Sequence, residues 1–419
     1  MRKISCFLLL LLLTACVPSK KTQVDAAALR AEIVENIKEC VLPFWLDYTI
    51  DPAGGFYGMV MRDGTPVPDT PKGGVLNARI LWTFSQAYRL YNDEAYLNMA
   101  NRAQRYFIDY FIDPIYGGTF WQINADGTPQ EGDIKQTYGL AYAIYGLSEH
   151  YRATKNEVSL QKAIEIYRTM EEKVLDKEQD GYIESFTREW GTPDKIGYDG
   201  DGTATKTMNT HIHVLEAYTS LYRVWPDEAL RGRLKTILEL LTTKLYDANR
   251  KHLILYCDSD WNNLSDIDSY GHDIETSWLL SEAAEVLGDE EVIKKINGIA
   301  IEMVDVALKE GLNEQGAMMY ERHGEHYRKE SSWWCQAESI VGCINAYQLT
   351  GDEAYLAHAK RFWEFIKTYH VDNEYGEWFR SVSLDGKPNL KEAKVSLWNC
   401  PYHNSRMGFE VDVRLSNVK

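Results

Sequence analysis

The chain has 419 residues, 45% of them hydrophobic, enough for one large core or two smaller ones. Its formal net charge of −17 comes with no basic block to neutralise phosphates, which argues against nucleic-acid binding. Cys40, Cys257, Cys335, Cys343 and Cys400 lack Cys-x-x-Cys spacing, so neither a zinc site nor a disulfide scaffold is indicated.

The N-terminal stretch reads as a targeting segment. Arg2 and Lys3 precede an apolar run over residues 7–13, and Leu13-Thr14-Ala15-Cys16 follows. The run is too short for a permanent membrane span. The tetrapeptide resembles a bacterial lipobox. This predicts a signal peptide over residues 1–15, lipidation at Cys16, a polar tether over 16–27 and one folded domain over 28–419. The expectation is a bacterial lipoprotein at the periplasmic face of a membrane or at the cell surface. It would touch the membrane only through its lipid anchor and would otherwise be a monomer.

One phrase then recurs: an acidic or amide residue, a few positions, a glycine, and aromatic or aliphatic residues. It starts at Asp51, Asp113, Asp176, Asn313 and Asp372, with a weaker copy lacking glycine at Asp247. A period of roughly 60–70 residues fits a helical hairpin plus loops. The intervening pattern is helical, as over residues 94–111 and 353–369. Residues 138–147 and 276–287 are apolar on most faces, which suits an inner ring covered on both sides. Six hairpins closing on themselves bury the two ends that an open array must cap. The predicted fold is therefore all-α, an (α/α)6 barrel with short β-hairpins or turns at one rim.

The polar clusters keep step with this repeat. Arg79, Tyr138, Asn209, His272, Trp333 and His403 each precede or open an apolar helical run at the same phase, which would gather them at one mouth. Asn209, His213 and Glu216 share a helix face, as do His272 and Glu275. His211 faces elsewhere and reads as structural. Trp333 and Trp334 are adjacent and point in different directions, and Glu338 lies four residues after Trp334. Pro401 suits a first helical position, placing His403 in the first turn and Trp398 in the loop before it. His150, His252, His323, His326, His358 and His370 are off phase and read as surface or core. There is no His-Glu-x-x-His motif and no compact ligand set, so no metal is expected. Neutral imidazoles suit reversible proton transfer near neutral pH. Twelve tryptophans and 27 tyrosines suit sugar faces, though they also fill cores.

The stretches NTHIHVLEAY, SYGHDIETSWLL, SSWWCQAE and WNCPYHNSR resemble the N-acylglucosamine 2-epimerase superfamily, and most closely its cellobiose 2-epimerase branch, which includes mannobiose 2-epimerases. The resemblance spans nearly all of the mature chain and implies the same (α/α)6 barrel. It implies reversible epimerisation at C2 of a reducing-end sugar, with no cofactor and no metal. By motif, His272 and His403 match the acid/base pair, and His213 matches a third histidine assigned to ring opening and substrate holding. Arg79, Tyr138 and Asn209 match polar residues around the reducing-end sugar. Glu275 and Glu338 match carboxylates that orient and charge-tune the histidines, and Trp334 and Trp398 match rings that stack on a disaccharide. Asn399 departs from the pattern, standing where the family has lysine.

Such a set is what the chemistry requires. A C2 proton beside an aldehyde is weakly acidic, so the sugar ring must open first. Deprotonation gives a cis-enediolate whose oxygen needs donors, Arg79 foremost. Inversion then needs a proton from the opposite face, which two histidines supply. One base returning the proton to C1 would instead make a ketose. Two tryptophans offer more stacking area than one hexose needs, which points to a β-1,4-linked disaccharide, cellobiose or mannobiose, with export slightly favouring mannobiose. The alternatives are an N-acylglucosamine 2-epimerase, an aldose–ketose isomerase, a glycoside hydrolase using Glu275 and Glu338, or a carbohydrate-binding protein.

Overall fold

The computed structural model describes residues 24–196 and 202–416. The expected signal peptide, Cys16 and most of the expected tether lie outside these residues. The helices, in chain order, are α1 (Ala26–Asn36), α2 (Leu42–Tyr48), α3 (Gly74–Tyr91), α4 (Glu94–Tyr106), α5 (Thr137–Thr154), α6 (Glu157–Thr169) and α7 (Met208–Val224). They continue with α8 (Glu228–Thr243), α9 (Tyr270–Leu287), α10 (Glu290–Glu310), α11 (Trp333–Thr350), α12 (Glu353–Phe365) and α13 (Tyr402–Arg414). Helices α3, α5, α7, α9, α11 and α13 pack each against the next, and α13 closes the ring on α3. Helices α4, α6, α8, α10 and α12 pack outside their inner partners, and α1 covers α13. The chain thus forms the (α/α)6 barrel that the repeat predicts, with α13 inside and α1 outside as its sixth helix pair.

Burial separates the two layers. Helix α3 is buried continuously from Gly74 to Ala87, and α5 from Thr137 to His150. The outer helix α4 buries one face, with Tyr96, Met99, Ala100 and Ala103. Local chemistry sets the hairpins. Every outer helix carries an Asp or Asn N-cap whose side chain accepts a backbone N–H: Asp25, Asp93, Asn156, Asp227, Asp289 and Asp352. Asn92, Lys155, Gly288 and Gly351 end four inner helices in the left-handed conformation that stops a helix. The inner helices therefore run parallel, and all six of their N-termini open at the same rim.

The recurring phrase builds that rim. In each of the six copies the side chain of the leading residue accepts the backbone N–H two positions on, closing an Asx turn at Asp51, Asp113, Asp176, Asp247, Asn313 and Asp372. In four copies the second carboxylate oxygen meets a buried lysine from the segment leading into the next inner helix. The pairs are Lys72–Asp51 (2.6 Å), Lys135–Asp113 (3.1 Å), Lys206–Asp176 (2.8 Å) and Lys394–Asp372 (2.7 Å). Lys72, Lys135 and Lys394 also donate to the glycine-region carbonyls of Gly54, Gly117 and Gly376. Asn313 cannot form an ion pair and donates instead to Lys329 O at 3.2 Å. Met319–His323 and His326–Ser332 form the longest hairpin at this end.

Removing one partner of a buried ion pair strands the other charge, at roughly 3–5 kcal/mol. Lys72→Met should therefore lower the unfolding free energy by about 3 kcal/mol, read as a shifted midpoint in urea denaturation, and Asp51→Asn should cost at least as much, because it strands the more deeply buried Lys72 ammonium.

Candidate active site

Two layers of side chains line the mouth, set by position along the inner helices. In the first turn stand Tyr138 of α5, Asn209 of α7, His272 of α9, Trp333 and Trp334 of α11, and His403 of α13. One turn deeper stand Arg79 of α3, Tyr142 of α5, His213 of α7, Glu275 of α9, Glu338 of α11 and Arg406 of α13. Arg79 is thus a turn below Tyr138 rather than level with it, which corrects the single phase inferred from spacing. A cavity of about 560 Å³ opens above the deeper layer, within the usual range for small-ligand sites. Of the residues expected to catalyse or bind substrate, all but Glu338 line it. Six parallel helix N-termini also direct partial positive charge toward this end, which favours an anion there.

The histidines are held differently. His403 Nδ1 lies 2.7 Å from Glu338 Oε1, so Nε2 is the nitrogen available to the cavity. His272 Nδ1 lies 2.7 Å from the Ser269 hydroxyl. His213 Nδ1 lies 3.0 Å from both Glu216 Oε2 and the Tyr142 hydroxyl. Burial, reinforced by the Arg79 and Arg406 charges and opposed by Glu275, holds His403 well below the ordinary imidazole range. Burial also lowers His213, against the opposing pull of Glu216. Both rings are thereby kept neutral, the form in which an imidazole accepts a proton.

Arg79 donates to the hydroxyls of Tyr138 (2.8 Å) and Tyr142 (2.7 Å) and lies 3.6 Å from Cys400 Sγ. Among the described residues its buried Nε finds no partner, nor does Glu275 Oε2, which leaves a donor and an acceptor in the deeper layer. The Trp334 ring packs against both imidazoles, at 4.7 Å from His272 and 5.6 Å from His403. Trp398 stands edge-on to Trp121 and Tyr138, each at 5.8 Å. Asn399 turns into its own loop, its Nδ2 donating to Ala393 O at 2.7 Å.

Behind the histidines lies a cluster that the sequence reading did not assemble. The Arg406 guanidinium donates through Nη2 to Glu275 Oε1 (2.5 Å) and Glu338 Oε1 (2.6 Å), and through Nη1 to Glu216 Oε1. Trp278 Nε1 donates to Glu338 Oε2 at 3.0 Å, and the Tyr402 hydroxyl donates to Glu216 Oε1 at 2.5 Å. Burial would raise the Glu216 carboxyl, but Arg406, with His213 and Tyr402, outweighs it and carries the group down to about 2. Glu275, Glu338 and His403 are, among the described residues, close enough together to share a cation. The Arg406 guanidinium already bonds both of those carboxylates. The sequence signal for Arg406 was slight: an arginine three residues after His403 in an otherwise buried helix. Tyr142, four after Tyr138, carried a clearer one.

Other positions sort as their spacing suggests. His211 bonds Thr207 O and the Tyr182 N–H, a structural role. His150 and His252 are buried in separate hydrogen-bonded sites away from the cavity, His370 is buried and bonds Ser331, a residue of the cavity wall, and His323 and His326 are exposed. Beyond the expected residues, the hairpin after Asn313 adds Tyr320, Arg328 and Glu330 to the cavity wall, and the loops after α12 add Arg380 and Glu392.

The model of the N-acylglucosamine 2-epimerase (GlcNAc 2-epimerase) family matches residues 55–403. A cellobiose 2-epimerase of Bacteroides fragilis is 43% identical over 387 residues, covering 91% of this chain and 98% of that protein. A cellobiose 2-epimerase of Dictyoglomus turgidum is 36% identical over 393 residues, covering 93% and 100%. The solved structure of the cellobiose 2-epimerase from Bacillus thermoamylovorans superposes with a TM-score of 0.89 at 38% identity, covering 93% of this chain and all of that one. With a matched model over most of its length and relatives this similar end to end, the chain belongs to the N-acylglucosamine 2-epimerase family.

Proposed function

We propose that this protein reversibly epimerises C2 of the reducing-end sugar of a β-1,4-linked disaccharide, with cellobiose and mannobiose as the substrates that fit. The observation that carries the proposal is two imidazoles, His272 and His403, packed on one tryptophan at the rim of a single polar cavity with Arg79 below. The names of the relatives support the disaccharide class. In this scheme His213, held by Glu216 and Tyr142, moves the proton between the anomeric hydroxyl and the ring oxygen as the ring opens. One of the pair His272 and His403 then takes the C2 proton. Arg79 and the converging helix N-termini stabilise the enediolate oxygen. The other histidine returns a proton to the opposite face, and the roles exchange in the reverse direction.

A glycoside hydrolase would need two carboxylates flanking the scissile bond with room for water or direct attack. Glu275 and Glu338 are instead tied to the same guanidinium, and Glu338 does not line the cavity.

NMR of cellobiose, mannobiose and the free hexoses with enzyme in heavy water tests the reaction, the expected result being the C2 epimer carrying deuterium at C2. His272→Ala and His403→Ala should each lower turnover by at least about 100-fold with an unchanged circular-dichroism spectrum, and wild-type turnover in either would refute the two-base scheme. Trp398→Ala should raise KM several-fold for the disaccharide while sparing a monosaccharide, since aromatic stacking is worth roughly 0.5–1.5 kcal/mol; free hexoses turned over as efficiently as disaccharides would refute the two-platform argument. For localisation we propose a Cys16-anchored lipoprotein, supported by the lipobox-like tetrapeptide. Cys16→Ser should move the protein out of the membrane fraction, and an unmodified Met1 in native protein would overturn the assignment.

A further inference from the structure

Arg406 is fully buried and is absent from the cavity lining, yet it touches the carboxylate partner of two of the three site histidines. We propose that Arg406 is a positioning residue that holds Glu338 and Glu216 as hydrogen-bond acceptors, and through them sets the protonation and orientation of His403 and His213. The inference rests on the epimerase reading for its kinetic consequence but not for its structural one.

The geometry makes the link specific. Nη2 serves Glu338 and Glu275 together, and Nη1 serves Glu216. The flat cation also lies over the rings of Tyr402 (4.4 Å) and Trp278 (4.8 Å), which fix its plane. Glu338 Oε1 is shared between Arg406 and His403. Burial raises the Glu338 carboxyl, and Arg406 is the chief opposing influence. Without that charge, the Glu338–His403 pair would bind a proton more readily as a unit. The titratable and charged groups facing His403 are Glu338 from α11, Glu275 from α9, His213 from α7, Arg79 from α3 and Arg406 from its own helix. Glu377 bonds the neighbouring Asn404. Removing Arg406 takes away one of the two cations in this set. The partner of His272 Nδ1 is a neutral hydroxyl, that of Ser269.

The test is a histidine NMR titration of the ligand-free protein, in wild type, Arg406→Lys and Arg406→Gln, paired with the pH dependence of epimerisation. In Arg406→Gln the midpoint of His403 should rise by at least one pH unit while that of His272 stays within a few tenths. The acid limb of kcat/KM should move upward with it, kcat should fall at least tenfold, and KM should stay within about threefold. Arg406→Lys should recover part of kcat and return the limb toward wild type. Should Arg406→Gln fail to fold, Arg406→Lys and Glu338→Gln carry the test. Glu338→Gln should lose inversion while one epimer, and not the other, still exchanges its C2 proton for deuterium with retention. Equal movement of His272 and His403, no movement of either, or a loss confined to KM would overturn the proposal. A wild-type protein that epimerises nothing, but whose His403 midpoint moves in Arg406→Gln, would refute the epimerase reading and leave the Arg406 link intact.

Discussion

Three carboxylates, Glu216, Glu275 and Glu338, are buried together beneath the mouth of the barrel, and a single guanidinium bonds all of them. Burying one unpaired carboxylate is costly, and burying three in contact without a cation would drive them to protonate. Arg406 makes the cluster tolerable, and its fork geometry allows three acceptors to converge where a lysine ammonium would serve them less rigidly. The histidines above inherit that order, because two of them hang from the carboxylates that the arginine fixes.

The barrel makes such convergence possible. Six inner helices run parallel because each hairpin ends its inner helix in one turn and starts its outer helix on an Asx cap. Residues at equivalent depths on different helices therefore face each other across the axis. The Asp–Lys pairs at the rim fix where four of the connecting segments enter. Lys72, Lys135 and Lys206 each stand two residues before an inner helix, so a rim pair there also helps set the height of the first-turn side chains. Rim and site are in this sense one construction: the phrase that repeats for structural reasons determines the register in which the unrepeated polar residues meet.

Legibility followed the range of each interaction. The hairpin repeat was visible because turn chemistry is local: an Asp or Asn bonds a backbone N–H two residues away, and a glycine follows. The shared face of His213 and Glu216 was visible because helix spacing implies it, and the structure joins them at 3.0 Å. His211 and His213 could be separated for the same reason. Arg406 was not legible, since its carboxylate partners come from α7, α9 and α11, far away in the chain. Trp334 was read as a surface for sugar; the ring also braces both imidazoles, a contact between α9, α11 and α13 that no local pattern reports.

The sequence by itself determined the closed ring of helical hairpins, the mouth at which its polar residues gather, and the family to which its motifs point. Periodicity, caps and turns are near-neighbour effects, and they survive in a one-dimensional string. Tertiary structure decided the depth at which each residue sits, placing Arg79 a turn below Tyr138. It also decided which group meets Nδ1 of each histidine, a carboxylate for His403 and a hydroxyl for His272. Those are properties of distances between helices, and they exist only once the ring has closed and a shared buried charge has drawn three helices onto a fourth.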